Sequence, residues 1–118
     1  MTVPLTVTGS ITSTADVIAY SSSDSRLKEN VLRITGSLDM IDKIGGYSFD
    51  WIKKDGIHEN EGHDVGVIAQ EIEAILPELV VTRDNGYKAV RYDKLVALLI
   101  ESIKELKEEI KIIKEKLE

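Results

Sequence analysis

The last quarter of the chain constrains it most. From Val96 onward the apolar residues Val96, Leu99, Ile103, Leu106, Ile110, Ile113 and Leu117 step three, four, three, four, three, four. That is a heptad seam, the stripe a helix buries against neighbouring helices in a coiled coil. The spacing predicts one helix over 94–117, with Asp93 as its N-cap. With Ile103 at heptad position a, Glu109 falls at g and Lys114 at the following e, the charge pairing of parallel neighbours. Leu95, Leu98 and Ile100 widen the stripe near its start, so the first turns are expected to bury against a globule and the later ones against partner copies. Isoleucine at a with Leu106 at d suits two strands, whereas Ile113 at d favours three. A lone helix folded back on its own domain would leave the distal half unpartnered.

A chain of 118 residues has room for one modest core. Residues 1–22 add little to it. Val3, Leu5, Val7, Ile11, Val17, Ile18 and Tyr20 alternate with turn formers such as Gly9-Ser10, a pattern of extended chain. This segment has too little apolar surface to fold alone and is expected to be the end of a longer fibrous β stem, with Met1 an artificial start. A flexible leader rich in serine and threonine is the competing reading.

The formal net charge of -6 and the absence of a basic stripe argue against nucleic acid as a partner. No cysteine is present, which excludes disulfides and thiolate metal sites. The longest apolar run, Leu95 to Ile100, is too short for a signal peptide or a membrane span, so a soluble protein without membrane association is expected.

The middle of the chain alternates strand and helix signals. Periodicity leaves Leu27 to Ile34 open, with a helix followed by a short strand as one reading. Ser37 is expected to cap a short helix with Leu38, Ile41 and Ile44 on one face, stopped by Gly45-Gly46. Tyr47, Phe49 and Trp51 alternate with polar residues as a strand with an aromatic core face, paired across a loop over 53–62 with a strand near Asp64 to Val67. Ile68, Ile72, Ile75 and Leu76 form a helical stripe ended by Pro77. Gln70 and Glu71 lie on its early turns, where hydrogen bonds to neighbouring elements are their plainer role. Leu79 to Thr82 and Lys88 to Tyr92 form a second hairpin around Asp84-Asn85-Gly86, with Asn-Gly supplying the positive φ values of a tight turn. His58, Glu59, Glu61, His63 and Asp64 include zinc-ligand types, but their spacing matches no ligand pattern, so neither a metal nor a cofactor is expected.

The chain changes character at Tyr20 to Asn30. Before it there is no lysine or arginine; after it the sequence is charged and periodic. At this boundary stand a hydroxyl, Ser23, and an amine, Lys28, the components of a serine-lysine nucleophilic pair. The plainer reading is that Ser23 or Asp24 caps a short helix running through Arg26 to Asn30. The wording Ser23-Asp24-Ser25-Arg26-Leu27-Lys28-Glu29-Asn30 resembles the opening of the self-cleaving intramolecular chaperone domain of phage tailspikes and tail fibres, of which endosialidase tailspikes are the type case. The resemblance continues, in the same order, through Tyr47-Ser48-Phe49-Asp50-Trp51, Val65-Gly66-Val67-Ile68-Ala69-Gln70-Glu71, Leu76-Pro77-Glu78-Leu79-Val80 and Val90-Arg91-Tyr92-Asp93-Lys94-Leu95. The same domain type occurs in myelin regulatory factor, a membrane-tethered transcription factor.

The resemblance implies a cut between Ser22 and Ser23, with Ser23 as nucleophile and Lys28 as its base. Asp24, His63, Gln70 and Glu71 are possible supporting residues. It also implies a homotrimer. The expected fold class is α+β: small β-hairpins packed with short helices, preceded by an extended β stem remnant and followed by a long C-terminal helix forming a trimeric coiled coil. Residues 1–22 are then stem, and 23–118 an autoprocessing chaperone domain whose partners are two further copies and the upstream stem. Such a domain registers three fibrous chains in the host cytoplasm during phage assembly and leaves the mature virion after cleavage. The alternatives are a trimerisation module that does not cleave, and a domain that releases a tethered transcription factor. The chemistry needs a neutral amine, and a lysine with an ordinary pKa of about 10.4 is almost wholly protonated at pH 7, so burial has to shift it. An oxyanion donor is needed as well.

Overall fold

The computed structural model describes residues 3–118. The reading of Met1 as an artificial start, and the first two positions of the expected stem, lie outside them. The chain divides into two units, Met1–Val31 and Leu32–Glu118.

In the first unit the described residues are exposed and form no strand. A single 3₁₀ turn, Ser25–Leu27, is capped by Asp24, whose carboxylate accepts from the Arg26 amide at 2.8 Å. Asp24 therefore does cap a helical turn, but one that stops well short of Asn30. The backbone turns extended at Lys28, and Asn30 adopts φ 55°, a left-handed conformation that short polar side chains tolerate. No further helix or strand forms before α1.

The second unit is α+β. Its order is α1 (Ser37–Ile41), β1 (Tyr47–Asp50), β2 (His63–Gly66), α2 (Ala69–Ile75), β3 (Val80–Thr82), β4 (Lys88–Val90) and α3 (Leu95–Leu117), with 3₁₀ turns at Pro77–Leu79 and Tyr92–Lys94. The strands make two separate antiparallel hairpins. In the first, Tyr47 pairs with Gly66 and Asp50 with His63; in the second, Val80 pairs with Val90 and Thr82 with Lys88.

The core is small. Among the described residues Ile72 and Leu98 have no exposure, and Leu79 is nearly covered. These three come from α2, the 3₁₀ turn after it, and α3. Pro77 opens that turn at its first position, where a missing amide costs nothing.

Several local expectations are corrected. The aromatic face is not core: Phe49 of β1 and Trp51 just after the strand are half-buried and meet edge to face, 5.1 Å between ring centroids, while Tyr47 is exposed. The hairpin is a sheet of two strands only. Ser37 is not the cap of α1, because Gly36 holds that position at φ 66° and Ser37 points instead to α3. Asp93 is not the cap of α3 either. It lies inside the 3₁₀ turn, and Lys94 takes the cap position without a side-chain bond. In the second hairpin the amide of Gly86 bonds the Arg83 carbonyl at 2.8 Å, and Arg83 bonds back to Tyr87 at 2.9 Å. Only Gly86 has a positive φ there, so the loop is a type I turn followed by one left-handed residue, and Asn85 serves through its side chain, which accepts from the Tyr87 amide.

Candidate functional site

Local geometry around the 3₁₀ turn brings Ser23 and Lys28 together. The turn is closed by amides of Leu27 and Lys28 donating to carbonyls of Asp24 and Ser25. This shortens the path between positions 23 and 28, and Lys28 Nζ donates to Ser23 Oγ at 2.7 Å. Asp24, between them in sequence, bonds Arg26. Its carboxylate takes Arg26 Nε at 3.1 Å and Nη2 at 2.9 Å in a two-pronged contact. The Arg26 side chain, then its amide, hold the Asp24 carboxyl below its usual range. Asp24 thus keeps Arg26 engaged, while Lys28 is directed at the serine. Ser22, Ser23 and Lys28 are all exposed. A candidate nucleophile and a candidate base are therefore one hydrogen bond apart, beside the Ser22–Ser23 peptide bond.

The remaining candidate residues lie in the second unit. Glu71, on the first turn of α2, accepts from the Gly45 amide at 3.0 Å and from the Tyr47 hydroxyl at 2.7 Å, tying α2 to the start of β1. The bond to this carboxylate, chiefly, pushes the Tyr47 phenol up from its ordinary value. Gly45 is what admits the Tyr47 ring, since a Cβ there would lie 2.5 Å from it. Gln70 is exposed. His63, in β2, pairs through Nδ1 with Asp50 at 2.8 Å, both largely exposed. His58 is engaged at both ring nitrogens. Nδ1 accepts from the Asn60 amide at 3.0 Å, so Nε2 carries the proton and donates to the Ile52 carbonyl at 2.7 Å. That leaves its ring no lone pair for a ligand. Asp64 accepts from Trp51 Nε1 at 3.0 Å, a bond that chiefly holds its carboxyl low.

The seam of α3 is an open surface in the single chain. Val96, Leu99, Ile103, Leu106, Ile110, Ile113 and Leu117 are all exposed, Ile103 to 70% and Leu117 to 82%. The side of α3 packed on its own unit is the neighbouring stripe, Leu95, Leu98, Ser102 and Glu105, of which Leu98 and Ser102 are buried. Sequence reasoning missed Glu105 and, for Ser37, the partner it takes there. The Glu105 carboxylate accepts from the Ser37 hydroxyl and from the Leu38 amide at 3.0 Å, and Glu101 one turn earlier pairs with Arg33 at 3.2 Å. The available signal was Ser102 and Glu105 sharing a helical stripe with Leu95 and Leu98, polar residues where core is expected. Among the described residues no helix is long and apolar enough to cross a membrane.

Comparison with known proteins places these features in context. The protein family described as chaperone of endosialidase, a peptidase family by name, matches residues 23–81, half of the chain. The match begins at Ser23. The long tail fiber protein Gp37 of Salmonella phage S16 is 34% identical over 107 residues, covering 80% of this chain and 14% of that protein. The Gp37 of Escherichia phage AR1 is 34% identical over 93 residues, 73% of this chain and 8% of that protein. The Gp37 of Enterobacteria phage M1 is 33% identical over 99 residues, 80% of this chain and 39% of that protein. The chain thus spans well under half the length of these relatives.

Proposed function

The chain belongs to the chaperone-of-endosialidase family, and from that membership we propose that it is the intramolecular chaperone of a phage tail fibre, which trimerises through α3 and then frees itself by cleaving its own Ser22–Ser23 bond. The domain proper is 23–118, and 1–22 is the end of the stem it serves. The observation that carries the reading is the 2.7 Å contact between Lys28 Nζ and Ser23 Oγ, adjacent to the bond to be cut.

In the reaction a neutral Lys28 accepts the proton of the Ser23 hydroxyl, reversing the direction of the bond while keeping its atoms in line. Ser23 Oγ attacks the Ser22 carbonyl carbon. The C–N bond breaks, an ester forms between the Ser22 acyl group and Ser23 Oγ, and the proton passes to the freed Ser23 amine. Water then cleaves the ester, giving a Ser22 carboxylate and restoring the serine hydroxyl. Holding nucleophile and carbonyl in adjacent residues makes the first step unimolecular. Ser23 and Lys28 are exposed, and in this scheme neighbouring copies pack over the pair and exclude water from it. Cleavage on this account waits for assembly.

The purpose of the order is registry. Three fibrous chains start in register slowly, because loop closure and nucleation are costly, and a trimer formed first at the chaperone holds the stem ends together. After the starter is removed, the stem unfolds without a ready way back, so its persistence becomes kinetic. Asp24, His63, Gln70 and Glu71 are the supporting residues of this scheme, Glu71 through its tie from α2 to the start of β1 and His63 through its pairing with Asp50 across the first hairpin.

The mechanism is tested by N-terminal sequencing of products from the unaltered chain and three variants. The unaltered chain should release a fragment beginning at Ser23. Ser23→Ala removes the nucleophile and should give none. Lys28→Ala and Lys28→Arg should both stall, since a guanidinium stays protonated. Full cleavage in the Ser23→Ala chain overturns the mechanism.

A further inference from the structure

An apolar groove of about 580 Å³ runs between α1 and α3, with Leu38 and Ile41 on one wall and Leu99, Ile103, Leu106 and Ile110 on the other. We propose that this groove receives the α3 of a second copy lying parallel and in register, so that α1 is itself part of the oligomer interface. The inference rests on the seam reading above and adds a surface to it.

The heptad shows why α1 is needed at this level. With Ile103 at a, the flank of α3 beneath α1 carries Ser102 at g and Glu105 at c. Ser102 turns its hydroxyl back onto the Leu98 carbonyl at 2.8 Å and offers a neighbour no apolar surface. It is also small, which lets α1 close on α3. Ser37 is 1% exposed, and Glu105 holds the first turn of α1 by accepting from the Ser37 hydroxyl and the Leu38 amide. Leu38 and Ile41 then stand beside the seam, where the stem of a longer g residue would flank it in an unaided coiled coil.

Orientation follows from the same placement. Each α3 has one flank covered by α1, the g side, and one uncovered, the e side with Ile100, Lys107 and Lys114. In a parallel pair the g flank of one helix faces the e flank of the next, so the α1 of one copy meets an uncovered flank. An antiparallel pair sets g against g, and the two α1 helices would contest one space. Charge agrees: α1 carries exposed Asp39 and the residue after it is exposed Asp42, while the facing e position is Lys107. The lysine stem lies along Leu38 and its ammonium reaches the carboxylates. The seam also continues past the groove through Ile113 and Leu117, a length that a full α3 matches and a short apolar peptide does not.

The chain has no cysteine, so a designed pair reports cleanly. Leu38→Cys and Lys107→Cys are placed in separately tagged chains, refolded together and oxidised. The expected product is a disulfide joining the two tags. Oligomers by sedimentation without a mixed-tag disulfide overturn the proposal and leave the seam reading intact; a monomeric unaltered chain overturns both. A second variant avoids any loss of α1 packing: Lys107→Glu is exposed and opposes only Ser102 if α1 lies outside the interface. It should raise the dissociation midpoint at least fivefold, and an unchanged midpoint also overturns the proposal.

Discussion

Ser37 has the surroundings that its sequence neighbours predict least. A serine ahead of a short apolar pattern signals a local N-cap, yet its hydroxyl goes to Glu105, while Gly36 takes the cap position. Local rules fail here because the acceptor arrives from a helix 68 residues away in sequence, a distance no capping pattern covers. The approach of Lys28 to Ser23 has the opposite origin: the turn joining them is local, and Asp24 caps it. Glu105 leads to a pH prediction. The Ser37 hydroxyl first, then the Leu38 amide, hold its carboxyl below the usual glutamate range. A carboxyl lowered in the folded state stabilises above its unfolded value, about 4.3, and that contribution fades as pH falls through the lower folded value. Glu105→Gln should therefore lower the thermal midpoint near neutrality, and the gap from the parent should close as pH drops below 4. A gap that stays constant down to the acid limit contradicts this assignment.

At the scale of elements, α3 was legible along its length because a three-four repeat has one helical meaning. Its start was not, since the chain enters it through the 3₁₀ turn Tyr92–Lys94 rather than through a side-chain cap. Both hairpins were legible from strand alternation and turn residues. The turn type of the second was not, because Asn-Gly suits two kinds of loop and only the Gly86 to Arg83 bond decides between them. The aromatic face of β1 was over-read as core, since alternation fixes which residues share a face and leaves open what covers it. The exposed seam carries the prediction at this scale. Ile103→Asp with Ile110→Asp places carboxylates at two a positions, each costing several kcal/mol if buried unpaired. The α1–α3 contact through Ser37 and Glu105 does not use either side chain. Light scattering should find a trimer for the parent and monomer for the variant; a monomeric parent removes the role given to the seam.

At the scale of the whole molecule the described core comes down to Ile72, Leu79 and Leu98, against a seven-residue apolar stripe left open on α3. On the proposed reading copies of the chain cover that stripe, and the proposed chemistry depends on the same packing closing over the exposed Ser23–Lys28 pair. The central claim is thus a self-cut between Ser22 and Ser23 that follows assembly. The most direct measurement is the intact mass of the purified chain under denaturing conditions, taken over time beside the Ile103→Asp, Ile110→Asp chain. The account predicts two species meeting at Ser22 and Ser23 in the parent and one undiminished species in the variant; a parent that is trimeric yet keeps a single full mass, or is cut at any other bond, contradicts it.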